Sequence, residues 1–395
     1  MDYKFATRMD GIKASAIREI LKYTVDPTVI SFAAGNPAPE AFPVKMIQQI
    51  TADIMENNPI GALQYSISEG YTPLRNKLKD QVKTRYEIGE EFDDLIITSG
   101  AQQAIDLACK VMCNKGDTII CENPSFVGSL NAFKSYEVNL VGVDMEADGI
   151  HIGKLEDALK NNPNTKLLYL IPNFQNPSGT TMSFEKRQAV YDICKKYGVV
   201  ILEDNPYGEL RFVGQDVKNI KSLDKDGMVI YCGSFSKILS PGLRVGFMCA
   251  PKEIVSKVVV VKQVSDVHTN IFGQLICDGF LERVEFDEHV KGLRSIYKNK
   301  CGLMLENIKA HLNPKITFTE PEGGLFLWCT LPENVNMMEF CKRAVENKVA
   351  VVPGSAFLPS EDYKTQSFRL NFSTPTDEQI IKGIEILGEL TYEIM

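Results

Sequence analysis

Apolar residues along this chain follow two rhythms. Short runs such as "DLIIT", "DTIIC", "KLLYLI", "VVIL", "MVIYC" and "VGFMCA" are continuously hydrophobic, as expected of strands covered on both faces. Between some of them the spacing becomes helical. Ala104, Leu107, Ala108 and Val111 recur along one face of "AQQAIDLACKVMC", and "EKRQAVYDICKKYG" continues helical until Gly198. Strands alternating with helices predict an α/β fold, a mostly parallel sheet with helices on both faces. From about Phe286 the pattern shifts to a long helical stretch, the short β-rich runs "FLWCTL", "VAVVPG" and "SFRLNFS", and a closing helix, which together predict a smaller α+β domain. At the other end "ASAIREILKYT" sets Ile17, Ile20 and Leu21 on one side, ahead of the turn-rich "AAGNPAPEAFP". These shifts divide the chain into an N-terminal segment, 1–45, joining the small domain, a large domain, 46–286, and a small C-terminal domain, 287–395.

A length of 395 residues also favours two domains, because single cores stop growing well below it. A net charge of −8 argues against a nucleic-acid partner, which calls for a basic stripe. It leaves room for an anionic small substrate held by a few arginines in a cleft. The start "MDYKFATRMD" has no signal-peptide pattern, and no apolar run is long enough for a bilayer, so no membrane partner is expected. Ten cysteines without a C-x-x-C pair read as reduced thiols, and the chain reads as cytoplasmic. Four scattered histidines fit neither a metal site nor a histidine-based triad.

Four polar clusters, "TSGAQQ", "NFQNPSG", "EDNPYGE" and "GSFSK", each follow an apolar strand run directly. Parallel sheets take their ligands at those carboxyl ends. "SGAQQA" opens a helix, whose free amides can hold a phosphate, with Ser99 and Gln102 as further donors. Taken singly, each cluster also suits a plain turn. Lys237 stands apart: it lies among Ser234, Ser236 and a Pro-Gly turn, seven residues before Arg244. A lysine becomes a nucleophile when burial or a nearby cation populates its neutral amine. Lysine, phosphate donors and the carboxylate of Asp204 together suit pyridoxal phosphate.

The run S-x-S-K-x-x-x-P-G-x-R-x-G, Ser234 to Gly246, comes after "NPSG" and "EDNPY" and before "FRLNFS". In that order the chain resembles the class I/II pyridoxal-phosphate aminotransferases of fold type I, over nearly its whole length. The sub-group it most resembles is the aminoadipate and kynurenine-type enzymes, whose catalytic domain some winged-helix regulators share. The resemblance implies that pyridoxal 5′-phosphate is carried by Lys237, paired at its ring nitrogen by Asp204, hydrogen-bonded at its ring oxygen by Tyr207 and Asn176, and stacked by Phe126. Its phosphate would lie on Gly100, Ala101, Gln102, Ser234, Ser236 and Arg244, with Tyr65 arriving across a homodimer interface. Substrate would meet Arg369 through its α-carboxylate, with Asn176 and Gly35 in the same pocket. Arg18 matches an arginine that reaches a distal carboxylate, or is an exposed helix charge. The implied activity is ping-pong transfer of an amino group from an L-amino acid to a 2-oxo acid, 2-oxoglutarate by family habit. A carbon–sulfur lyase or decarboxylase would share Lys237 and Asp204, and a non-catalytic cofactor-binding sensor remains a third reading.

Overall fold

The continuous apolar runs pair into one eight-stranded sheet. The computed structural model describes residues 3–11 and 26–395, so Arg18 and the segment around Ile17, Ile20 and Leu21 lie outside the described residues. Across the sheet the order is Asp93–Thr98, Gly246–Pro251, Val229–Ser234, Val200–Asp204, Thr165–Leu170, Thr118–Asn123, Asn139–Glu146 and Gly149–Ile150. Successive residues face opposite sides, and both sides are covered. Ile119, Leu167, Tyr169 and Leu202 enter one apolar cluster, whereas Ile120, Leu168, Leu170 and Ile201 enter another. Helix Ala101–Met112 covers the first face with Ala104, Leu107 and Ala108; helix Phe184–Tyr197 covers the second with Val190, Tyr191 and Cys194. Fully burying one such aliphatic side chain is worth roughly 1.5–3 kcal/mol. The Phe184–Tyr197 helix is capped by the Ser183 hydroxyl, which accepts from Lys186 N, and stops at Gly198 in the left-handed region, φ 67°.

Gly246–Pro251 runs antiparallel to both its neighbours. The connection from Ser234 holds only a 3₁₀ turn, Pro241–Leu243, and a parallel return needs a crossover of a dozen or more residues. The reversal returns the chain, and with it Arg244, to the end where Ser234 stopped: Gly246 is in register with both Ser234 and Thr98.

Helix Phe286–His311 leads to a four-stranded antiparallel sheet, ordered Thr317–Phe318, Phe326–Thr330, Ser367–Asn371 and Val352–Pro353. Arg369 is central there, opposite Trp328 on one side and Val352 on the other. Ile30–Ser31 pairs in parallel with Val349–Ala350. The next residue, Phe32, donates its amide to Ala350 O and accepts from Asn371 N, both at 2.8 Å, which lays Ala33 to Asn36 alongside the Arg369 strand. Among the described residues no helix is long and apolar enough to cross a membrane.

Candidate active site

All the polar clusters noted in the sequence open onto one cavity of about 400 Å³ at the carboxyl end of the large sheet. Two glycines let its lining residues Arg244 and Ala101 pack closely. Gly100, at φ 77°, has no room for a side chain, since a Cβ would come within 2.4 Å of Arg244 Nη2. A Cβ on Gly246 would approach Ala101 N to 2.7 Å. The first amides of the Ala101–Met112 helix have no acceptor within it and carry its positive end. Ser234, Ser236 and Arg244 line the same side. Arg244 donates from Nη1 to Pro241 O at 3.3 Å and from Nη2 to Ser99 O at 3.2 Å, which fixes its planar head beside the turn. Gln102 also lines the cavity, but its Nε2 donates to Gly128 O at 3.0 Å, so its backbone is what faces an anion. Ser99 does not act as an extra donor; its hydroxyl is turned to Asp266 Oδ2 at 2.8 Å.

Asp204 ends the Val200–Asp204 strand and is 3 % exposed. Its Oδ2 accepts from the Tyr169 hydroxyl at 2.8 Å, which in turn accepts from Ser129 Oγ at 2.8 Å. Its Oδ1 is buried with no hydrogen-bond partner. Burial pushes this carboxyl up from 3.8 to about 7, against the Tyr169 hydrogen bond. Such a group calls for a cationic donor from the cavity. Nearby, the buried Tyr207 hydroxyl accepts from Asn176 Nδ2 at 3.4 Å, and Phe126 lines the wall just before helix Val127–Lys134.

Lys237 is half-buried and donates from Nζ to Gly35 O at 2.7 Å. Desolvation, then the charges of Arg369 and Arg244, bring its amine down to about 8, so about a tenth of it is neutral at pH 7, far more than for an ordinary lysine. Arg369 is 2 % exposed. Its Nη1 donates to Asn176 Oδ1 at 2.8 Å and its Nη2 to Ala33 O at 2.7 Å, and its carbon Cζ lies 4.2 Å from the Phe326 ring centroid and 5.0 Å from that of Phe357. Burial lowers its pKa to about 10 without discharging it, and Nε has no partner. A guanidinium with unspent donors in a cavity suits a carboxylate.

These residues fit pyridoxal phosphate. The glycine-lined turn and Arg244 would take its phosphate, the orphaned Asp204 oxygen its ring nitrogen, the Tyr207–Asn176 pair its ring oxygen, and Lys237 its aldehyde carbon. Tyr65 is not among the cavity residues: it is 80 % exposed, with its ring 5.9 Å from that of His268. The sequence reading passed over Tyr169, Ser129, Phe326 and Phe357. Tyr169 did leave a signal, as the one hydroxyl-bearing side chain in the aliphatic run "KLLYLI".

The family model for aminotransferase class I and II matches residues 27–387. The aromatic-amino-acid aminotransferase 1 of Thermococcus litoralis is 41 % identical over 401 residues, covering 100 % of this chain and 96 % of that protein. A crystal structure of Pyrococcus horikoshii kynurenine aminotransferase in complex with PMP has a TM-score of 0.95 at 38 % identity, covering 98 % and 97 % of the two chains. LysN, the α-aminoadipate aminotransferase of Thermus thermophilus, complexed with N-(5′-phosphopyridoxyl)-L-leucine, has a TM-score of 0.90 at 34 % identity, covering 99 % and 97 %. With that family match joined to a cavity built for the cofactor, the chain belongs to the class I and II aminotransferases: it is a transaminase of fold type I whose cofactor is pyridoxal phosphate.

Proposed function

We propose that the protein transfers the amino group of an L-amino acid of the aromatic or 2-aminoadipate type to a 2-oxo acid, 2-oxoglutarate, by a ping-pong mechanism. The observation that carries this reading is the pairing, in one cavity wall, of the Lys237 amine with the buried Arg369 guanidinium. The relatives named above support the substrate class.

The bound cofactor supplies a ring that accepts the electron pair released when a proton leaves the substrate Cα. Arg369 holds the substrate carboxylate through its free N–H groups, and Phe326 and Phe357 keep its planar head in one orientation. Lys237 would hold the cofactor through Nζ at rest, and the same Nζ is placed to take the substrate Cα proton and to return it. Asp204 keeps a negative charge facing the ring nitrogen, while Tyr169 holds its other oxygen in place. Tyr207 and Asn176 would hold the ring oxygen, and Phe126 would pack against the ring. Gly100, Ala101, Gln102, Ser234, Ser236 and Arg244 anchor the phosphate, and Gly35 borders the substrate. One carboxylate fork must serve donor and acceptor in turn, so the first product leaves before the second substrate binds.

The working unit is a homodimer in which Tyr65 reaches the partner's phosphate; its exposure next to exposed Ile60 and Leu63 of the same segment supports that pairing. Residues 46–286 form the cofactor-binding domain and 287–395 the smaller one, with the N-terminal segment attached to the latter; the pairing of Ile30–Ser31 with Val349–Ala350 supports the attachment.

The test is a half-reaction. Cofactor-loaded protein mixed with L-phenylalanine or L-2-aminoadipate alone should release one 2-oxo acid per cofactor, and 2-oxoglutarate should then restore the starting absorbance. Release of free ammonia, release of carbon dioxide, or no reaction with any amino acid would overturn the proposal.

A further inference from the structure

Lys262 is a buried lysine outside the active cavity. It lies near the end of helix Lys252–Gln263 at 0 % exposure. Its ammonium donates to Gln103 Oε1 at 2.7 Å, to Asp266 Oδ1 at 2.9 Å and Oδ2 at 3.0 Å, and to Thr269 Oγ1 at 3.0 Å. Burying a lysine ammonium is costly even beside a partly exposed carboxylate, here Asp266 at 28 % side-chain exposure, and an apolar residue of similar volume often serves stability as well or better. A reason to keep this one lies in what it holds.

The network converges on a single residue, Ser99. Gln103 Oε1, fixed by Lys262, accepts the Ser99 amide at 2.7 Å. Asp266 Oδ2, fixed by Lys262 and by Gln103 Nε2 at 2.7 Å, accepts the Ser99 hydroxyl at 2.8 Å. The Ser99 carbonyl accepts from Arg244 Nη2 at 3.2 Å. All three polar groups of Ser99 are therefore tied, and the next residues are Gly100 and the first amides of the Ala101–Met112 helix. The loop that carries Asp266 holds Val267 at φ 64°, a conformation that β-branched residues avoid. His268, next along, accepts the Ser66 amide on Nε2 at 3.2 Å, so the same loop also borders the Tyr65 segment.

We infer that Lys262 is the positioning residue of the phosphate-binding turn: through Gln103 and Asp266 it locks Ser99, and so aims the amides after Gly100 at the cofactor phosphate. Its charge is balanced by Asp266, so it acts by orientation and adds little net field. The inference rests on the reading that this turn takes the phosphate.

The experiment measures equilibrium dissociation constants of the cofactor-free protein for pyridoxal phosphate and for pyridoxal, which lacks the phosphate. Lys262→Met should weaken pyridoxal phosphate about tenfold, the size of one misaligned charge-assisted hydrogen bond, and leave pyridoxal within about twofold. Ser99→Ala, which keeps the Lys262–Asp266 pair, should weaken pyridoxal phosphate about threefold with the same selectivity. If Lys262→Met yields no folded protein, Ser99→Ala decides alone. Equal losses for both ligands would mark a merely structural role and overturn the inference, as would no loss for either. If wild-type protein binds both ligands equally, the fault lies instead with the placement of phosphate at this turn.

Discussion

Asp204→Asn separates the two roles of the buried carboxylate, because it should stabilise the cofactor-free protein while disabling the loaded enzyme. In the cofactor-free state Oδ1 has no partner and burial raises the carboxyl from 3.8 to about 7. The folded form therefore holds a proton that the unfolded chain has already released, and stability falls as pH rises from about 4 through about 7. At about 1.4 kcal/mol per pH unit, that interval amounts to about 4 kcal/mol lost by pH 8.5. Unfolding entropy of about 2.1 cal/mol/K per residue over 395 residues converts this to about 5 °C in Tm. Asparagine keeps the shape and the Tyr169 contact without the charge. Glu122, a second buried carboxyl pushed up to about 8, is present in both proteins and largely cancels in the comparison. Scanning calorimetry of both cofactor-free proteins at pH 5 and pH 8.5 should show the variant about 2 °C higher at pH 5, where about 1.6 kcal/mol of that loss has accrued, and about 5 °C higher at pH 8.5. Turnover by the loaded variant should drop by orders of magnitude, since the ring nitrogen loses its counter-charge. Parallel pH profiles, or a variant less stable at pH 8.5, would refute the argument that Asp204 is a carboxyl buried without a partner until a cation enters the cavity.

Arg369→Lys should lower kcat/KM for amino acids about 10²- to 10³-fold in steady-state assays, because a single ammonium cannot reproduce two charge-assisted bonds worth about 1.5–3 kcal/mol each. Tyr169→Phe leaves both Asp204 oxygens without a protein donor; cofactor titration should show affinity weakened about tenfold. Gly100→Ala meets both the positive φ and the Arg244 head, so the turn must shift; titration should show at least a tenfold loss of pyridoxal phosphate binding, with the far-ultraviolet circular dichroism unchanged.

Much of this site is legible in the linear chain because the sheet makes it so. Every parallel strand ends at the same edge, so a polar cluster after each apolar run must converge with the others; singly each suits a turn, and only together with the resemblance do Lys237, Asp204, Asn176 and Gly100 read as one site. Arg244 is close enough in sequence to share a phosphate with Ser234 and Ser236, and the structure adds that it reaches the cavity because the strand that follows it, Gly246–Pro251, runs backwards. The supports of the site were less legible. Arg369 is bonded to Ala33 across 336 residues of sequence, and Phe326 beneath it looks like any core aromatic in an apolar run. Ser99, a good phosphate donor by sequence, is claimed by Asp266, 167 residues later, and Lys262 resembles a surface charge in "VVVVKQ" until the fold buries it. Local patterns record which residues end a strand, but not which distant partner uses up a donor.

The covalent attachment point is the most direct test of the account. Cofactor-loaded protein should be reduced with borohydride, digested and mapped by mass spectrometry. The account predicts a phosphopyridoxyl group on the peptide containing Lys237 and on no other. The label on a different lysine, or an unmodified Lys237 in fully loaded protein, would contradict it.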